Sequence, residues 1–143
     1  MTHPLMNELG RTVLVGSGAI GTCLRKAGGR IDEPVELLNL REPALVRNLH
    51  AAYRDAGSQI LVTNTFAANA LILGEAGAGD LCDDVNCAGV TLAREAGGSE
   101  CLVWASIGPL ALGLRLEDYP DGALEEIYRR QCLALVEADA LLL

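Results

Sequence analysis

Apolar positions along this chain follow two different periods. Short runs, apolar throughout except for Thr12, occupy residues 12–15, 60–62 and 102–105, and a further run, Ala140-Leu141-Leu142-Leu143, stands at the last positions. Continuous apolar runs of this length fit strands of a parallel sheet buried on both faces. Between them the period changes to that of a helix. Leu45, Val46, Leu49, Ala52, Tyr53 and Ala56 recur at helical spacing behind Pro43 and ahead of Gly57, with proline and glycine placed as start and stop signals. A second helix is predicted over residues 83–95, with Asp83 and Asp84 in its first turn and Gly97-Gly98 after it, charges that suit the helix dipole. A third is predicted over 123–137, where Leu124, Ile127, Tyr128, Gln131, Leu135 and Val136 form one face. Shorter helices are expected at 22–27 and 67–75, with irregular chain over 30–40.

Strand-like and helical segments therefore alternate, which predicts parallel strands joined by helical crossovers. Periodicity leaves open whether the sheet is doubly wound or closed into a barrel. A final strand with no helix to cover it is an exposed apolar edge. Three βα units and the start of a fourth are also about half of a barrel of ~250 residues, so residues 1–143 read as one truncated domain.

Each predicted strand ends in residues suited to a site, since ligands bind at the carboxyl ends of such strands. After residues 12–15 comes Gly16-Ser17-Gly18-Ala19-Ile20-Gly21-Thr22, three glycines in seven residues, a sequence that turns sharply and admits a ligand close to the backbone. After 60–62 comes Thr63-Asn64-Thr65-Phe66, and after 102–105 comes Ser106-Ile107-Gly108-Pro109. Ser17, Gly18, Ala19, Ile20, Asn64, Thr65 and Ser106 are the candidate substrate-binding residues. No catalytic residue is assigned. His50 and Trp104 read as structural, Trp104 as a core or barrel-layer residue.

Gly16, Gly18 and Gly21 also satisfy G-x-G-x-x-G, the dinucleotide fingerprint. Its context is poor. The helix behind it is stopped by Gly28-Gly29, and the acids at suitable distance, Asp32, Glu33 and Glu36, surround Pro34 rather than end a strand. A nicotinamide-binding Rossmann oxidoreductase thus stays as the alternative reading.

Charge and composition narrow the partners. The formal net charge of −8 disfavours nucleic acid or an anionic membrane. No apolar run approaches the ~18–20 residues of a membrane span, and no secretory signal is recognisable, so a cytoplasmic location is expected. Cys23, Cys82, Cys87, Cys101 and Cys132 are an odd number without a C-x-x-C pair. They read as buried or half-buried thiols, neither disulfides nor a metal site.

Several segments together resemble the homocysteine S-methyltransferase family, whose domain is shared by cobalamin-dependent methionine synthase and betaine–homocysteine methyltransferase. They are Gly18-Ala19-Ile20-Gly21-Thr22, Glu36-Leu37-Leu38-Asn39-Leu40 with Pro43, and Val46, His50, Tyr53 and Ala56-Gly57 leading into Ile60. Thr63-Asn64-Thr65-Phe66 with Asn69, Ala93-Arg94-Glu95-Ala96 and Ser106-Ile107-Gly108-Pro109 complete the set. The resemblance implies the N-terminal half of a (β/α)8 TIM barrel. It further implies methyl transfer to the thiol of homocysteine, giving methionine, with a small-molecule thiol as partner. It also implies a zinc ion held by cysteine thiolates in full-length members, which keeps the substrate sulfur ionised and nucleophilic. Those ligands belong to later strands of the family barrel, so this chain is expected to be incomplete, inactive by itself and without a metal site. Where the family usually carries an aspartate before the glycine loop, this chain has Ser17. A half-barrel that self-associates through its open strand edges, without catalysis, is a further alternative.

Overall fold

The structure, a computed structural model, describes residues 11, 13–28, 32–110 and 115–140. Among the described residues, six α-helices and two strands follow one another in an α/β order. Helix α1 is Ile20–Lys26; a 3-10 turn, Val35–Leu37, leads into α2, Leu38–Arg41; α3 is Pro43–Asp55. Strand β1, Ile60–Val62, is followed by α4, Ala70–Glu75, and α5, Cys82–Gly97. Strand β2, Leu102–Trp104, precedes α6, Ala123–Glu137.

The strands pair in parallel, Ile60 beside Leu102 and Val62 beside Trp104. Parallel neighbours require a crossover, here α4 and α5. Strand alternation sends Leu61 and Val103 to one face, where they meet Val90, Ala93 and Ala96 of α5 and Leu135 of α6 in the main core cluster. Complete burial of a leucine or valine contributes about 1.5–3 kcal/mol, so this face is where the sheet is anchored. A second cluster places Ile20 and Leu24 of α1 on Val46 of α3 and Leu92 of α5. A third joins Leu37, Leu73, Cys82 and Val85 beneath α4.

The helical expectations match closely. Pro43 opens α3, and Gly57, with φ of 100°, ends it. Helix α4 starts later than expected because the Asn69 side chain caps it, accepting from the amides of Leu71 (3.1 Å) and Ile72 (3.0 Å).

Two expectations are corrected. The run over 12–15 is not a strand among the described residues 13–15, and it is not buried: Val13 is 85% and Val15 52% exposed. Only Gly16 forms a parallel bridge, to Ile60. The Val15 carbonyl accepts from the Gln59 and Ile60 amides at 2.7 and 3.1 Å, so the segment still runs beside β1. Trp104 is not a core residue, being 46% exposed. Alternation along β2 turns Val103 to the helices and Trp104 to the opposite face. The expected strand at 140–143 lies largely outside the described residues.

Candidate functional site

The carboxyl ends of both strands open into a cavity of about 970 Å³. Its wall is made first by the glycine loop. The Ser17 amide donates to the Ile60 carbonyl at 2.8 Å, and the Ser17 hydroxyl accepts from the Val62 amide at 2.9 Å. One residue thus fastens the loop to β1 through backbone and side chain together. On the other side of the loop, the Tyr53 hydroxyl of α3 donates to the Ala19 carbonyl at 3.1 Å and lies 3.6 Å from the Cys23 sulfur. A Cβ on Gly18 would stand 3.1 Å from that hydroxyl, so Gly18 permits the close approach of loop and ring.

Beyond Val62, three hydroxyl-bearing residues close a ring of hydrogen bonds. The Thr65 hydroxyl donates to the Ser106 carbonyl at 2.8 Å, and the Ser106 amide donates to the Thr63 hydroxyl oxygen at 3.0 Å. The two threonine hydroxyls are 2.6 Å apart, which leaves Thr63 as donor to Thr65. This ring ties the end of β1 to the end of β2. Asn64 is held from the opposite direction. Its Nδ2 donates to the Val35 carbonyl at 3.0 Å and to Asn39 Oδ1 at 2.9 Å, while Asn39 Nδ2 donates to the Asn64 carbonyl at 2.8 Å.

Ser17, Gly18, Ala19, Ile20, Asn64 and Ser106 all line the one cavity. Thr65 does not. It is fully buried, and its hydroxyl is spent within the ring described above. His50 lies inside the fold on α3, with neither ring nitrogen hydrogen-bonded; desolvation lowers its pKa to about 4.

Two features escaped sequence reasoning. Tyr53 was legible as a helix-face residue, but its contact with Ala19 joins positions 34 residues apart. Glu36 belongs to the cavity wall and is only 4% exposed. Its Oε1 accepts from the Ala67 amide at 3.0 Å. Burial pushes the carboxyl above its ordinary pKa, against the smaller opposing pull of the Ala67 bond and the Arg25 charge. A buried acid in an irregular turn carries no periodic signal that would mark it beforehand.

The family metal finds no donors among the described residues, where no group of three or more His, Cys, Asp and Glu side chains converges. No cysteine lines the cavity. Cys82, Cys87 and Cys101 donate to the carbonyls of Ala68, Ala134 and Ser58. Burial raises the pKa of all three, the reverse of what a thiolate ligand or nucleophile requires. No helix among the described residues is long and apolar enough to cross a membrane.

Comparison with known proteins agrees with this architecture. The family model for homocysteine S-methyltransferase matches residues 14–143. The chain belongs to the homocysteine S-methyltransferase family. It is similar to the methionine synthases of Mycobacterium leprae (strain TN) and Mycobacterium tuberculosis (strain ATCC 25618 / H37Rv), 33% identical over 96 residues in each case. That match covers 63% of this chain and 8% of either relative. Among solved structures, the oxidized form of the homocysteine methyltransferase MmuM from Escherichia coli superposes with a TM-score of 0.80 at 26% identity. The superposition covers 97% of this chain and 55% of that one. The metallated form of the same enzyme gives 0.77 at 24% identity, a likeness of fold. The chain therefore spans about half the length of its structural relative and a small part of the curated ones. Membership of this family leaves the dinucleotide alternative without support.

Proposed function

We propose that this chain is the homocysteine-binding half of a methyltransferase barrel. It corresponds to three βα units and the start of a fourth, and its role is to hold the amino-acid end of a thiol substrate. The observation that carries this reading is the placement of the Ser17–Ala19 loop, Asn64 and Ser106 around one cavity at the strand ends. Gly18 lets the loop lie close against Tyr53, Ser17 offers a hydroxyl, and Ser106 adds a polar group from the neighbouring strand. Thr65 serves this site by fixing the distance between the two strands rather than by contact with ligand.

Methyl transfer itself belongs to a complete barrel. In the family a metal keeps the substrate sulfur as thiolate, a better nucleophile than the thiol at neutral pH. The donor chemistry of the present cysteines does not suit that task, so no step is assigned to them. Isothermal titration of the chain with homocysteine at millimolar concentration tests the reading. Saturable binding of homocysteine, with weaker binding of serine, is expected; absence of any homocysteine binding would refute it.

A second reading is favoured by the exposure of Val15 and Trp104. Two copies that cover each other's open sheet faces would form a self-associated barrel-like dimer. Light scattering distinguishes the two states, and a monomer at high concentration would rule out this association.

A further inference from the structure

Two chain segments continue from the strand ends, 63–69 after β1 and 105–110 after β2, and they are bonded to each other along their length. The Thr65 hydroxyl begins the seam at the Ser106 carbonyl. The Gly108 amide then donates to the Phe66 carbonyl at 2.8 Å, and Asn69 Nδ2 donates to the Leu110 carbonyl at 3.3 Å. A Cβ on Gly108 would stand 2.6 Å from the Phe66 carbonyl oxygen, so the two backbones touch there. Asn64 and Ser106, which both line the cavity, are thus carried by one unit of two loops.

Helix α6 grips that unit twice. Gln131 Nε2 donates at 2.8 Å to the Thr65 carbonyl, which also accepts from the Ala68 amide at 3.1 Å. One turn earlier on the helix, the Tyr128 hydroxyl donates to the Gly108 carbonyl at 3.3 Å. Residues three apart on a helix share a face, so one face of α6 holds the first loop through Gln131 and the second through Tyr128. Both acceptors are main-chain groups. The bonds therefore fix backbone position, one residue past Asn64 and two past Ser106.

Gln131 is more than packing. It is completely buried, and its Oε1 finds no partner among the described residues. A buried amide with an unused oxygen costs stability, and methionine would fill a similar volume without that cost. The donor side is what the position uses, on the Thr65 carbonyl and on Asn86 Oδ1 at 3.2 Å.

We propose that Gln131 and Tyr128 are positioning residues of the substrate cavity: α6 holds the Thr65 and Gly108 carbonyls so that Ser106 stands at a fixed place beside Asn64. The assignment rests on the homocysteine reading above and extends it to a helix none of whose residues lines the cavity.

The test combines calorimetric titration with homocysteine, at a temperature where each variant is folded, with urea unfolding and hydrogen exchange of the Ser106 amide. Gln131→Met and Tyr128→Phe are each expected to weaken homocysteine binding about threefold to tenfold, the scale of one hydrogen bond, and to speed exchange at Ser106. On a Ser106→Ala background neither is expected to weaken binding further, because the side chain they place is gone. Arg130→Met separates positioning from loosening of the helix. Arg130 lies between the two residues but bonds Asp83 and the Asp80 carbonyl, so its loss is expected to lower the urea midpoint and leave the affinity unchanged.

An unchanged affinity in either folded variant, a weakening that persists in full on Ser106→Ala, or an equal weakening by Arg130→Met overturns the positioning role and leaves homocysteine binding intact. Failure of the wild-type chain to bind homocysteine overturns the reading on which the role rests. Exchange then decides the structural part alone: faster exchange at Ser106 in the variants supports the grip of α6, and equal exchange overturns it. If Gln131→Met does not fold, Tyr128→Phe, which removes a single oxygen, carries the same comparisons.

Discussion

Asn39 and Asn64 hold each other reciprocally, the Nδ2 of Asn39 on the Asn64 carbonyl at 2.8 Å and the Nδ2 of Asn64 on Asn39 Oδ1 at 2.9 Å. Asn39 Nδ2 also donates to the Val85 carbonyl at 2.9 Å, so one side chain joins α2, the end of β1 and α5. Replacement by aspartate changes almost no volume but turns a donor facing two carbonyls into an acceptor. Buried groups left unsatisfied cost about 1–3 kcal/mol each. Asn39→Asp is therefore expected to lose about 3 kcal/mol or more at neutral pH, read as a lower urea midpoint with an unchanged slope. A loss below about 1 kcal/mol would show that the pair is not a structural anchor.

The same junction sets a limit on packing. A Cβ at Gly89 of α5 would fall 2.6 Å from Thr65 Cγ2 and 2.8 Å from Asn39 Nδ2. Alanine gains up to about 1 kcal/mol of helix propensity over glycine, but overpacking costs about 1–3 kcal/mol. Gly89→Ala is expected to lower the melting temperature. Gly74→Ala in α4, where a Cβ meets nothing within 4 Å, is expected to leave it unchanged or raise it. Opposite signs at these two sites separate close packing from propensity.

His50 makes stability depend on pH. Its pKa in the fold is about 4, against 6.5 for the free side chain, because burial disfavours the charged ring. The unfolded chain binds the proton first as pH falls. The contribution of neutral His50 is therefore complete above pH 6.5 and is lost on the way down to about 4, a loss on the order of 3 kcal/mol. Glu36 acts in the opposite sense: its carboxyl is raised, so its contribution is largest at low pH and declines as pH rises through its folded value. A His50→Leu variant isolates the histidine. Its stability is expected to vary less than the wild type's between pH 6.5 and 4, and equal pH slopes for the two proteins would refute this.

How much of this was readable beforehand differs by element. The helix over 123–137 is where the apolar spacing put it, as α6, Ala123–Glu137, because its inward face meets a core made by this same chain. The apolar run over 12–15 misled for the complementary reason. Val13 and Val15 are apolar yet 85% and 52% exposed, so their apolar character does not report burial within the described residues. Strand-end segments announced the candidate site, since Asn64 and Ser106 follow their strands directly. Glu36 and Tyr53 did not, because each acts across a separation that no local pattern encodes.

Tyr53 offers a direct probe of the glycine loop. Phenylalanine keeps the ring that packs on Gly18 and removes only the hydroxyl bond to the Ala19 carbonyl. An exposed neutral hydrogen bond is worth about 1 kcal/mol or less, so the Tyr53→Phe variant is expected to remain folded with nearly wild-type stability. The loop carrying Ser17 and Ala19 loses its tie to α3 and keeps the two Ser17 bonds to β1. Homocysteine binding is expected to weaken severalfold by calorimetry, and an unchanged affinity would show that the loop is held by Ser17 and β1 alone.

Trp104 reports on the open face of the sheet. It is the single tryptophan of the chain, 46% exposed on the face opposite Leu61 and Val103. Val62 and Ile107 line a shallow depression with it. In water an indole emits at long wavelength and is quenched by acrylamide; in an apolar enclosure neither holds. The isolated chain is expected to show red-shifted emission with efficient quenching. Anything that covers this face, whether a second copy or the remaining strands of a barrel, must shift the emission to the blue and reduce quenching. The exposed apolar side of an indole is also a strong driver of association, so Trp104→Ser is expected to weaken any such covering while leaving the helix-side core of Leu61 and Val103 intact. Blue-shifted, unquenched emission from a dilute monomer would contradict the open face.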